Sequence, residues 1–122
     1  MVTKVIQPGE RTIMKLDPSV ECALRDGQNC MMAGNYQVAL KIFDQVIANN
    51  PENAQAFHDK ADVLDLMGNY SEAVKCYDSA LECDPYDAEV WYNKGMTLRK
   101  TGHHEEGLED IRKGISLAMG EI

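Results

Sequence analysis

The sequence has no apolar run long enough to cross a bilayer, and no basic-then-apolar opening of the kind that directs secretion. Basic residues are scarce: 12 Lys and Arg stand against 20 Asp and Glu, a formal charge of −8. Nucleic-acid backbones and anionic membranes both require clustered cations, so neither is an expected partner. There are only four cysteines, and no two form a Cys-x-x-Cys pair: Cys22 and Cys30 are eight apart, Cys76 and Cys83 seven. That spacing does not suit a zinc site, and without secretory features it does not suit a disulfide framework. Cys30, Cys76 and Cys83 are read as thiols packed between helices. Glycines stand singly rather than gathered in a phosphate-binding loop, and no nucleophile motif is present. His103 and His104 are adjacent in a turn, where neighbours point apart, and His58 is isolated. Acid–base catalysis needs two groups in one pocket with displaced pKa values, and no such constellation is legible. The expectation is a soluble cytoplasmic protein that is not an enzyme and carries neither metal nor cofactor. On that reading Asn69-Tyr70-Ser71 is a turn and helix start rather than a glycosylation site.

What the chain does have is acid in one place and a pattern said three times. Residues 1–19 carry +1, 20–53 carry −2, 54–87 carry −6 and 88–121 carry −1. The stretches 33-AGNYQVALKIFDQVIANNP-51 and 67-MGNYSEAVKCYDSALECDP-85 share a layout at a spacing of 34, and the same step leads from Gly34 and Gly68 to Gly102. Ala39, Ala73 and Gly107 fall in register, as do Phe43, Tyr77 and Ile111, and Val46, Ala80 and Gly114. Ahead of each turn glycine, Ala23, Phe57 and Trp91 align, followed by Gly27, Ala61 and Gly95. Three units result: 20–53, 54–87 and 88–121.

Each unit reads as two amphipathic helices. The first spans about 20–33, 54–67 or 88–101, and the next glycine supplies the left-handed conformation that ends it. The second begins near 36, 70 or 104, with apolar positions recurring at threes and fours, as in Tyr70, Ala73, Val74, Tyr77, Ala80 and Leu81. Pro51 and Pro85 stop the first two of these, because the residue before a proline leaves the helical region. Small residues at 27, 61 and 95 admit a close partner helix, and large ones at 43, 57, 77 and 91 fill the space between units. Gly107 and Gly114 each cost about 1 kcal/mol relative to alanine inside a helix, so the last helix is expected to fray first.

Over about five-sixths of its length the chain resembles the tetratricopeptide repeat family. Trp91, Gly95, Ala73, Tyr77, Ala80 and Pro85 carry the resemblance, with Leu64, Leu98 and Gly68. It implies an all-α, right-handed superhelical solenoid of three helix–turn–helix repeats. Asp26, Lys60 and Lys94 depart from it in a slot that usually holds leucine; a lysine there can bury its stem and surface its charge. His104 replaces the usual tyrosine of the third unit.

In the family, the first helices line a groove that takes a peptide or partner helix. Carried over by register, the groove positions are Glu21, Leu24, Arg25, Gln28 and Met31; Gln55, His58, Asp59, Asp62 and Asp65; and Glu89, Tyr92, Asn93, Met96 and Arg99. Members that grip a C-terminal carboxylate do so with Lys, Arg and Asn. Leu24, Gln28, Asp59 and Glu89 stand in those slots here, and acids repel a carboxylate. The expected partner is instead a protein segment that is basic, or basic and apolar, with cations at Asp59, Asp62 and Asp65 and apolar side chains near Leu24, Met31, Tyr92 and Met96.

The ends raise a second expectation. Residues 1–19 fall outside the period and are either a flexible leader or a cap in which Val5, Ile6, Ile13, Met14 and Leu16 cover the first pair; Asp17-Pro18-Ser19 looks like a helix start. Stacked repeats need a polar terminal face. Leu108, Ile111, Ile115, Leu117 and Met119 would leave an apolar strip on the last helix, to be buried by more chain, by a partner or by a homodimer.

Overall fold

The computed structural model describes residues 18–121. The expected leader lies outside the described residues up to position 17, and with it the cap formed by Val5, Ile6, Ile13, Met14 and Leu16. Six helices follow in order: α1 Pro18–Met32, α2 Tyr36–Asn49, α3 Ala54–Leu66, α4 Tyr70–Cys83, α5 Ala88–Lys100 and α6 His104–Ala118. No strand occurs among the described residues. Each helix packs on its neighbours in sequence, and α1 also touches α3. This is an all-α solenoid in which first helices sit beside first helices.

The turns inside the three pairs are one structure repeated. Gly34, Gly68 and Gly102 hold φ of +83°, +83° and +87°, which only glycine adopts without strain. Around each, two backbone bonds close the helix end. Asn35 N–H reaches Cys30 C=O at 2.8 Å, Asn69 N–H reaches Leu64 C=O at 2.8 Å and His103 N–H reaches Leu98 C=O at 3.0 Å. The glycine N–H bonds Met31, Asp65 or Arg99 one step inside, completing the Schellman arrangement. Between pairs, Asn50 and Asp84 leave the helical region ahead of their prolines. Asn53 and Asp87 then cap the next first helix through side-chain oxygens, Asn53 to Ala56 N–H at 3.0 Å and Asp87 to Glu89 N–H at 3.1 Å.

Two apolar clusters fill the stack. Leu24, Ala39, Phe43, Val46, Ala56 and Val63 form one; Ala61, Leu64, Ala73, Tyr77, Ala80, Leu81 and Val90 form the other, and Leu40 packs against both. Phe43 and Tyr77 are wholly enclosed, whereas Phe57 and Trp91 are only half-buried, both packed against the Tyr77 cluster. The Trp91 indole donates to Pro85 C=O at 2.8 Å, which holds it at the rim. The lysines in the leucine slot do more than surface their charge. Lys60 Nζ meets Asp44 at 2.7 Å, and Lys94 Nζ meets Asp78 at 2.8 Å and Asp110 at 3.5 Å.

Several expectations need correction. Cys83 is exposed, because it ends α4 where the chain turns away; Cys30 and Cys76 are half-buried. Ile111 is buried at 8% exposure, since it lies over Gly95 and so belongs to the α5–α6 contact rather than to an exposed strip. Gly107 and Gly114, whose cost inside a helix underlies the expectation that α6 frays first, also sit at close contacts with α5. A β-carbon at Gly107 would come within 2.6 Å of Gly95 C=O, and one at Gly114 within 2.7 Å of Ala88 C=O. Backbone touches backbone there, and the propensity cost is the condition of that approach.

Candidate functional site

The face made by α1, α3 and α5 carries a polar network that forms the floor of an open cavity. On α3, the rise of one turn per three or four residues brings Gln55, His58, Asp59, Asp62 and Asp65 to one side. Asp59 is buried, and both its oxygens are taken: Gln28 Nε2 of α1 donates at 2.8 Å and Gln55 Nε2 at 2.9 Å. Burial raises its carboxyl above the ordinary 3.8, and the two amide bonds and His58 only partly offset this. Asp62 is raised for the same first reason, against the Tyr77 hydroxyl that donates to it at 2.5 Å. Burial and the Asp62 charge together push the Tyr77 phenol upward.

His58 is buried beside these acids. Its Nε2 faces Asn93 Nδ2 at 3.3 Å, Asp62 at 3.5 Å and Glu89 at 4.0 Å. Its Nδ1 is buried without a partner among the described residues. Asn93 also approaches Asp62, at 3.5 Å. Asp65 is paired by Lys100 Nζ of α5 at 3.0 Å. The network thus spans α1 to α3 through Gln28–Asp59, and α3 to α5 through Asn93 and Lys100.

Above this floor lies an open cavity of about 290 Å³. Its apolar wall is Met31, Leu66 and Met96, and its polar wall is Asp62, Asp65, Tyr77 and Asn93. Tyr92 and Glu89, three residues apart on α5, are exposed, and Glu89 comes within 4.0 Å of His58. Among the described residues no group of His, Cys, Asp and Glu could hold a metal ion, and no helix is long and apolar enough to cross a membrane. The arrangement offers a shaped apolar hollow with carboxylates at one end.

The register positions therefore divide. Gln28, Met31, Gln55, His58, Asp59, Asp62, Asp65, Asn93 and Met96 are brought together, whereas Tyr92 is exposed on α5 and does not line the cavity. Leu24 is enclosed in the first cluster with Ala39 and Phe43, so it offers no surface to a partner. Arg99 leans the other way, its Cγ 2.8 Å from where a Gly107 β-carbon would be. Three members escaped the sequence reading. Leu66 lies four residues beyond Asp62, and that spacing alone would have found it. Lys100 follows Arg99 by one, so a small rotation of the helix decides between them. Tyr77 belongs to a second helix and reads as core, and it is buried; it also lines the cavity, where its hydroxyl bonds Asp62.

A second surface lies on α6, where Leu108, Ile115 and Met119 are exposed and Ile111 is not.

A tetratricopeptide repeat family profile matches residues 31–106. No curated protein is a significant sequence match. Among solved structures, MamA from AMB-1 superposes with a TM-score of 0.76 at 26% identity, over 83% of this chain and 60% of MamA. The Yersinia enterocolitica type III secretion translocator chaperone SycD superposes with a TM-score of 0.80 at 18% identity, over 83% of this chain and 76% of SycD. The chain spans about three fifths of most of the MamA structures it matches.

Proposed function

The chain belongs to the tetratricopeptide repeat family of protein–protein interaction modules, and on that premise we propose that its α1–α3–α5 face binds, without catalysis, a partner segment with an apolar side chain beside a basic one. The observation that carries this reading is the cavity itself: methionine and leucine on one wall, Asp62 and Asp65 on the other. Methionines accommodate varied apolar shapes. The apolar side chain sits between Met31, Leu66 and Met96, and the cation sits toward Asp62 and the exposed Glu89. Of the three acids expected to face the cation, Asp59 is withdrawn, because Gln28 and Gln55 already occupy it. A C-terminal carboxylate remains a poor ligand, since Asn93 is engaged with His58 and Asp62.

Fluorescence anisotropy with labelled peptides tests this, comparing Leu-Lys and Leu-Arg sequences with Leu-Glu ones. The basic peptides should bind more tightly, and less so as salt is raised. Leu66→Ala and Glu89→Gln alter exposed groups and should each weaken binding several-fold while the fold is kept. Equal affinity for acidic and basic peptides, or indifference to both variants, would sink the reading.

A further inference from the structure

We infer that the chain stacks head to tail on copies of itself, the α6 face of one copy seated on the α1 face of the next, with Arg112 and Asp26 reproducing an internal ion pair in reversed polarity. Within the chain, each second helix packs on the following first helix, α2 on α3 and α4 on α5. Both junctions carry a bridge at the same register: Asp44 with Lys60 at 2.7 Å, and Asp78 with Lys94 at 2.8 Å. One repeat beyond Asp78 stands Arg112, and one repeat before Lys60 stands Asp26. Both are exposed. Neither forms an ion pair among the described residues. The junction position is therefore charged on both outer faces of the described helices, basic on α6 and acidic on α1. The two faces complement each other at the one register where the interior has a bridge.

The apolar positions around it agree. Ile115 is 46% exposed, whereas its counterpart one repeat earlier, Leu81, is 8% exposed beneath α5. Leu108 is likewise exposed, whereas Val74 one repeat earlier is half-buried and Leu40 two repeats earlier packs against both clusters. On α1, Cys22 and Asn29 stand open where Ala56 and Val63, and again Val90 and Thr97, are buried by the preceding helix. These are compact side chains, so a helix can approach, but Asn29 is polar and the contact is weaker than the internal ones. A symmetric α6-to-α6 pairing centred on this strip would instead bring Arg112 against Arg112, with Lys113 adjacent. A head-to-tail contact that repeats the internal junction continues the solenoid, so it yields a growing stack rather than a two-fold dimer. The groove takes no part in this contact.

Sedimentation velocity on the full chain, from low micromolar to near-millimolar concentration, tests the proposal. The weight-average mass should climb past that of a dimer. D26R and R112E should each lower the association constant at least about tenfold, by placing like charges at the junction. An equimolar mixture of the two variants should regain association, because every junction of an alternating stack is then of opposite sign. Asp26→Asn and Arg112→Gln should give smaller losses, and they carry the test if a reversal disturbs the circular dichroism of the fold. A wild-type chain that stays monomeric throughout would overturn the proposal, as it must if residues 1–17 cover either face. So would a plateau at the dimer that D26R leaves untouched, or a mixture that fails to regain what its components lost.

Discussion

Replacing Gly107 with alanine should destabilise the protein, although repeat register and helix propensity both favour alanine there. Units one and two have Ala39 and Ala73 at this position, and alanine is better than glycine in a helix interior by about 1 kcal/mol. The packing reverses the sign. The new β-carbon would lie 2.6 Å from Gly95 C=O, 2.8 Å from Arg99 Cγ and 3.2 Å from Arg99 N. The Arg99 stem can swing aside. The Gly95 carbonyl belongs to the α5 backbone and cannot, and a β-carbon on Gly95 would in turn meet Gly107 C=O at 2.4 Å. Overpacking of this kind costs about 1–3 kcal/mol, and a rigid obstacle puts it at the upper end. Subtracting the propensity gain leaves a net loss of about 2 kcal/mol. For a domain of this size that lowers Tm by roughly 8 °C. Thermal unfolding followed by far-ultraviolet circular dichroism reads the whole stack. The fluorescence of Trp91, the only tryptophan, reads the third unit, where Lys113 of α6 lies 4.6 Å from its ring. The fluorescence midpoint should fall at least as far as the dichroism midpoint. A Tm that rises would show that α5 and α6 separate freely, and would refute the close-contact reading.

Two further expectations follow from buried charge. Lys60→Met and Lys94→Met fill the same leucine slot, yet they should differ: the first leaves only the exposed Asp44 alone and costs under about 1 kcal/mol, while the second strands the largely buried Asp110 and costs about 2–3 kcal/mol; urea denaturation of the pair checks the ordering. Asp59 and Asp62 have folded pKa values raised above 3.8, mainly by burial. A raised carboxyl binds its proton more readily in the fold than in the unfolded chain. Its contribution is therefore most favourable below the unfolded value and is lost as pH rises through the folded one. The urea midpoint of the wild type should gain on that of Asp59→Asn as pH is lowered from 7 toward 4, and a gain in the other direction would contradict the burial assignment.

The scaffold was legible because its signals are local. A glycine every 34 residues, with apolar positions at threes and fours behind it, fixes where helices end and which side of each turns inward. Pairings were not legible. Lys60 and Asp44 are on different helices, and nothing in either stretch names the other. The same holds for Gln28 with Asp59 and for Lys100 with Asp65. Periodicity places a residue on a face, but not at a depth. Leu24, Met31, Ile111 and Ile115 are all apolar and all at helical positions. Leu24 and Ile111 are enclosed while Met31 and Ile115 are not, because the neighbour that covers each one is set by how closely two helices approach. At Ile111 that approach depends on Gly95, a residue legible as small, whose consequence shows only once α5 and α6 are in contact.

The polar floor of the groove limits how a partner can be recognised. Asp59 and Asp65 already hold bonds that join neighbouring helix pairs, Asp59 to Gln28 and Asp65 to Lys100, and the second oxygen of Asp59 is taken by Gln55 of its own helix. A basic ligand that claimed either acid would have to break those bonds, and an exchange of one hydrogen bond for another yields little net free energy. It would also strand Gln28 or Lys100 at the junction between pairs. The groups that can be engaged without such an exchange are the exposed Glu89 and the apolar wall of Met31, Leu66 and Met96. Affinity then rests on the apolar side chain that fills the hollow, at about 25 cal/mol for each Å² it buries. The carboxylates mainly reject acidic sequences and orient basic ones. Lys100→Met separates the two roles: it releases Asp65 from its internal partner, so preference for basic over acidic peptides should widen while the ranking of apolar side chains stays as it was. A changed apolar ranking would mean that the charge network shapes the cavity as well as lining it.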